Sequence, residues 1–194
     1  MNYPKFVKID GKTYKINTDF KTAIECNRIA QDESIGDLER ALAIIYKLFG
    51  EEGINTPDHY EKLLEMAKKY LLRGEEYDTE ANEKPDMDFI EDYSYITTSF
   101  MSDYNIDLDN TEMHWWKFVD LMNGLSYSEL GDCCILNRIR NLRNIDLNEI
   151  KDQKERDKIR KAKERVALKK KEINVELTPE QQESVDEFYK ALGL

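Results

Sequence analysis

The residues of this chain that have the right type for chemistry stand at spacings that work against it. Gly11-Lys12-Thr13 matches the end of a phosphate-binding loop, in which backbone N–H groups and a lysine cradle phosphates. That motif needs a glycine five residues earlier, where Phe6 stands, and a helix immediately after it. Asp103-Tyr104-Asn105-Ile106-Asp107-Leu108-Asp109 imitates the start of a calcium loop. Leu108 replaces the glycine of the sharp turn, and His114 replaces the bidentate glutamate. Cys133 and Cys134 are adjacent, and on a helix their thiols would point about 100° apart, unsuited to one metal ion. With Cys26 they make an odd number, so reduced thiols are expected rather than disulfides. His59, beside Asp58 and without a placed partner, reads as a solvated side chain rather than a base. No nucleophile elbow or pair of histidines at metal spacing occurs. The carboxylates sit on solvated faces where nothing tunes them. The expectation is a non-catalytic protein without metal or cofactor.

The chemistry left is that of contact, and it concentrates between Asp107 and Leu125. Both tryptophans of the chain stand there side by side, in His114-Trp115-Trp116-Lys117-Phe118. On a helix, His114, Trp115, Phe118, Leu121, Met122 and Leu125 share one face. Trp116 projects about 200° from His114, beside Asp120 and Asn123. Trp115 is therefore the expected core anchor. Trp116 must be covered by another helix or meet something outside the chain, and Trp116, Lys117, His114, Trp115 and Phe118 form the candidate partner-binding set.

A series of predicted helices positions this stretch. Asp10-Gly11 between two alternating segments predicts a short β-hairpin over Lys5–Ile16. Thr18 or Asp19 caps a first helix reaching Gln31, and a second runs from Ile35 to Phe49, where Gly50 stops it. Thr56-Pro57 starts a third, reaching Gly74. Gly74 to Asp92 holds nine Asp or Glu residues and only Lys84 against them, so residues 74–85 read as an acidic linker. A helix follows from Asp86 to Asn105, then the tryptophan helix capped by Asp109 or Thr111, then one from Tyr127 to Asn141 packed on two sides. Glu149 to Glu172 predicts a long charged helix with a thin apolar stripe at Ile150, Ile159, Ala162, Val166 and Ile173. Thr178-Pro179 begins a last one. The fold expected is mainly α: a helical bundle with a small N-terminal β-hairpin and a long charged C-terminal helix. Residues 1–146 form the core domain and 147–194 the arm.

The 194 residues carry a net charge of −11, distributed unevenly. Lys151 to Glu172 holds 11 basic against 5 acidic residues, so the remainder carries −17. An acidic body argues against nucleic acid as its partner, and leaves the basic tail open to an acidic surface. No apolar run approaches the ~20 residues of a membrane span, and Met1-Asn2-Tyr3-Pro4-Lys5 lacks a signal pattern, so the cytoplasm is expected.

The run from Phe89 to Leu125, with Tyr95-Ile96, Phe100, Tyr104-Asn105-Ile106-Asp107-Leu108 and His114-Trp115-Trp116-Lys117-Phe118, resembles the bacteriophage Gp-fifteen family. Ile139-Arg140-Asn141 continues the likeness. The resemblance is strongest over Asp86–Asp146. Genes of that family typically lie between those of the major tail protein and the tape-measure protein, the position of tail assembly chaperones. The resemblance therefore implies a tail assembly chaperone of long-tailed phages or prophages, working in the host cytoplasm and binding the tape-measure protein; the thin apolar stripe of the charged helix adds self-association to the expectation. It implies no functional residues. The alternatives are a nucleic-acid or regulatory binding protein using the 151–171 helix, or a structural tail component.

Overall fold

The computed structural model describes residues 3–74, 85–127 and 133–169. The acidic residues 75–84, the segment 128–132 and the predicted last helix lie outside the described residues.

The chain opens with strands β1 (Phe6–Ile9) and β2 (Lys12–Lys15), paired antiparallel from Phe6↔Lys15 to Ile9↔Lys12. Asp10 and Gly11 take φ of 48° and 86°, the positive values that a tight hairpin turn demands. Alternation turns Ile9 and Tyr14 inward, and leaves Phe6 outside. Asp19 caps α1 (Phe20–Ala30), its carboxylate accepting from Lys21 N at 2.8 Å. Helix α2 (Asp37–Ile54) breaks at Gly50, whose φ of 66° and ψ of −160° belong to glycine almost alone. The predicted stop is real, although a further helical turn follows it. A 3-10 turn at Pro57–His59 leads into α3 (Tyr60–Leu71), which ends through Arg73 and Gly74 at φ of 59° and 81°. Then come α4 (Tyr93–Tyr104), α5 (Trp115–Asn123), α6 (Ile135–Asn144) and α7 (Gln153–Val166). The fold is mainly α, with the hairpin as its one sheet among the described residues.

Several predicted boundaries move. Helix α4 begins at Tyr93 instead of Asp86, because Asp88 spends its carboxylate on the N–H groups of Ile90 and Glu91 and holds a turn there. Asn105 does end it, at φ 54°. Helix α6 starts at Ile135, not Tyr127, and runs three residues further to Asn144. Helix α7 is shorter than Glu149–Glu172, and is capped by Asp152, which accepts from Glu155 N at 2.8 Å. It packs along α6: Ile159, Ala162 and Val166 are half-buried, and the Ile145 carbonyl accepts from Lys163 Nζ.

The core is aromatic at its centre. Phe118 stacks between Phe20 at 4.7 Å and Phe100 at 5.2 Å between ring centroids, with Trp115 at 5.7 Å. All three phenylalanines are fully buried, so α1, α4 and α5 meet on one stack. Behind it Asp92, 1% exposed, takes two 2.7 Å bonds from Arg143 of α6. The same guanidinium donates to the carbonyls of Asp86 and Val166, joining α6, the entry to α4 and the end of α7.

His59 is not the solvated side chain its sequence neighbours suggest. It is 15% exposed, its Nδ1 lies 2.7 Å from Tyr14 Oη, and its Nε2 faces Asp10 at 3.6 Å. Both partners come from the hairpin, which is how the hairpin is fastened to the start of α3. Among the described residues no helix is long and apolar enough to cross a membrane.

Candidate functional site

The tryptophan helix starts at Trp115, three to five residues later than a cap at Asp109 or Thr111 predicts. His114 lies outside it and caps it, with Nδ1 accepting from Trp116 N at 3.1 Å. Its other nitrogen, Nε2, lies 2.9 Å from the Pro4 carbonyl, an acceptor, so the proton sits on Nε2 and the cap is a neutral imidazole. Tyr3 stacks on the ring at 4.9 Å. Asp109 and Thr111, the predicted caps, are engaged elsewhere: Asp109 accepts from Tyr93 Oη at 3.0 Å, and Thr111 donates to the Asp107 carbonyl at 2.5 Å. The approach to the helix is fixed by α1. Phe20 N donates to Met113 O, Trp115 N donates to Thr18 O, and Asp19 accepts from Met113 N, so Thr18–Phe20 and Met113–Trp115 form a short antiparallel bridge.

The two indoles finish the end of another helix. Trp115 Nε1 donates to Leu71 O at 3.0 Å, and Trp116 Nε1 donates to Tyr70 O at 2.9 Å. Carbonyls in the last turn of a helix have no partner within the helix. The tryptophan pair donates to two consecutive ones; the Tyr70 carbonyl accepts from Arg73 N as well, at 3.1 Å, and Trp116 also stacks on the Tyr70 ring at 6.2 Å. Asp120, beside Trp116 on the helix, pairs with Arg73 at 2.5 Å and accepts from Tyr3 Oη at 2.7 Å.

The candidate set therefore divides. Trp115 and Phe118 are buried and cannot touch a partner directly; they support the surface from beneath. Trp116 and His114 are half-buried with their polar atoms engaged inside the chain, so only parts of their rings face outward. Lys117 alone of the five is exposed.

Beside His114 opens a groove of about 960 Å³, between the exit of β2, the Leu48–Gly50 break of α2 and the Glu112–His114 approach. Tyr46, 52% exposed, lies along it with Lys15, Lys21 and Lys47. The carboxylates of Asp19 and Glu112 line it too, so its charge is mixed around an open aromatic ring. Lys47 is 3.9 Å from Glu25 and Lys21 donates to Asp109 O at 2.8 Å, while Lys15 has no partner among the described residues. Sequence reading missed this groove, because its lining is drawn from positions 15–21, 46–50 and 112–114, which no local pattern joins.

The family model described as Bacteriophage Gp15 protein matches residues 2–168 of the chain. The chain belongs to that bacteriophage family. No curated protein and no solved structure matches it.

Proposed function

We propose that this chain is a non-catalytic assembly factor of a phage or prophage tail, a chaperone that binds the tape-measure protein in the host cytoplasm before the tail is complete. The observation that carries the reading is the open groove beside the tryptophan helix, in a chain of a bacteriophage family. A tape-measure protein is a long, mostly helical chain that needs its apolar faces covered until assembly. In the groove Tyr46 offers apolar contact, and Lys15 and Lys47 offer charge to the acidic edge of such a helix; Trp116 and Lys117 lie outside its lining. The acidic remainder of the surface keeps coated complexes apart by repulsion, and coating so long a client calls for many copies of the chain. The gene position implied by the family resemblance agrees with this client.

The test is co-expression of the tagged chain with the tape-measure protein of the same genome, followed by affinity purification and light scattering. The expected result is a soluble complex with several copies of this chain, from a tape measure that is insoluble alone. An insoluble tape measure and an unaccompanied chain would remove the client assignment. Presence of the chain in purified virions would instead make it a structural tail component.

A further inference from the structure

Helix α7 holds seven basic residues against three acidic ones, and its packing uses only part of them. Arg156 donates to Ile150 O, Arg160 pairs with Asp157, and Lys163 reaches the Ile145 carbonyl. The other four, Lys154, Lys158, Lys161 and Arg165, are exposed and have no hydrogen-bond or ion-pair partner among the described residues. Their register of i, i+4, i+7, i+11 puts them within an arc of about 60° and along about 16 Å of helix. Glu155, Asp157 and Glu164 stand to the sides of this stripe, and none interrupts it. Ile159, Ala162 and Val166 lie on another face, half-buried where α7 packs along α6. That neighbour carries three arginines and no carboxylate.

Four unpaired cations in line repel one another, so a linear anion laid along them is favoured. An interface with an acidic protein closes around an apolar centre, and a helix lying on an anionic bilayer buries an apolar face. The stripe offers neither, because the apolar residues of α7 are spent on α6. Exposed ion pairs with carboxylates are also individually weak. Phosphate is different. A nucleic-acid duplex carries one charge per about 1.7 Å of its axis, so a stripe of about 16 Å lies against about nine of them, and each phosphate neutralised releases a condensed counterion. That gain needs no apolar contact. The −17 carried by the remainder of the chain opposes it, but the stripe is turned from the body, and such repulsion is screened beyond about 8 Å at physiological salt.

We propose that the Lys154, Lys158, Lys161 and Arg165 stripe of α7 binds the phosphate backbone of duplex nucleic acid without reading its sequence. This is a second binding activity, separate from the client groove, whose lining includes no residue of α7.

The experiment is fluorescence anisotropy of a labelled mixed-sequence DNA duplex with the full chain over a range of salt. Four phosphate contacts give a slope of log K against log salt of about −3.6, or about a 150-fold loss of affinity between about 50 and 200 mM salt. Lys161→Gln should weaken binding and take about 0.9 from the magnitude of the slope. Lys158→Glu with Lys161→Glu should abolish binding, and a duplex of scrambled sequence should bind as well as the first. All substituted residues are exposed, and circular dichroism keeps the comparison to folded variants. A slope untouched by Lys161→Gln places the binding on another surface and overturns the proposal, as does absence of binding at the lowest salt. Polyglutamate competing as well as duplex at equal charge assigns the stripe to an acidic protein and overturns it. A single strand binding more tightly than the duplex overturns the choice of ligand.

Discussion

Arg143 grips Asp92 at two points, 2.7 Å each, with 10% and 1% of the two side chains exposed. Buried charges gain little over well-packed apolar groups while paired, yet a lone buried carboxylate is costly. Arg143→Met alone is expected to lower unfolding free energy by about 3–5 kcal/mol, and Arg143→Met with Asp92→Leu to recover part of the loss, since the bonds to the Asp86 and Val166 carbonyls stay missing. Urea titration of the three proteins checks this. A single-variant loss below about 1 kcal/mol would mean that water reaches the pair.

The tryptophans should differ in cost. Trp116→Phe keeps an aromatic face on Tyr70 and removes one of the two hydrogen bonds to the Tyr70 carbonyl, so about 1 kcal/mol is expected. Trp115→Ala empties a site in the aromatic stack, and about 3–5 kcal/mol follows. Thermal and urea melts give the order directly, and a reversed order would contradict the division of roles described above.

Client binding and stability should separate at the groove. Tyr46→Ala and Lys15→Glu change exposed side chains, so stability should stay within about 0.5 kcal/mol. Recovery of soluble tape-measure protein on co-expression should fall clearly with the pair. Undiminished recovery would move the client site away from this groove.

High pH should loosen the fold. Burial pushes the Cys26 thiol up to about 12, and burial together with the Asp109 hydrogen bond pushes Tyr93 up to about 12. Burial raises Tyr70 as well. The unfolded chain releases these protons near their ordinary values, about 9 for cysteine and 10 for tyrosine. Between about pH 9 and 12 the unfolded state therefore holds fewer protons, and stability must fall as pH rises. The contribution is fully present below about pH 8. Urea midpoints at pH 8, 9.5 and 11 should decline, and Cys26→Ala should flatten the decline. Alkylation at pH 8 should reach the half-buried Cys133 well before Cys26.

Legibility in the sequence followed the range of the interaction. Asp10-Gly11, Gly50, Asn105 and the Asp19 cap were readable because each acts on its own few residues of backbone. The cap of α5 was not. Histidine is an uncommon cap, and His114 takes the role through Pro4, which is 110 positions away. His59 misled for the same reason, since its partners Tyr14 and Asp10 lie in the hairpin. The periodicity of Trp116 correctly posed a choice between a covering helix and an outside partner. The carbonyl of Tyr70, which takes up its N–H, belongs to an end of α3 that no wheel of α5 displays.

Gly50 has a reach beyond its own residue. Gly50 leaves helical geometry, and two residues before it the Leu48 carbonyl accepts from Asn17 N at 2.7 Å. That one bond ties the last residue before the α1 cap region to the middle of α2, and Ile16, Asn17, Leu48 and Gly50 all line the groove. The mouth of the groove is thus cast by main chain, like a mould whose gap is set before any lining is added. Its outline will survive exchange of Tyr46 or the lysines, whereas any residue with a β-carbon at position 50 would strain the backbone that sets it.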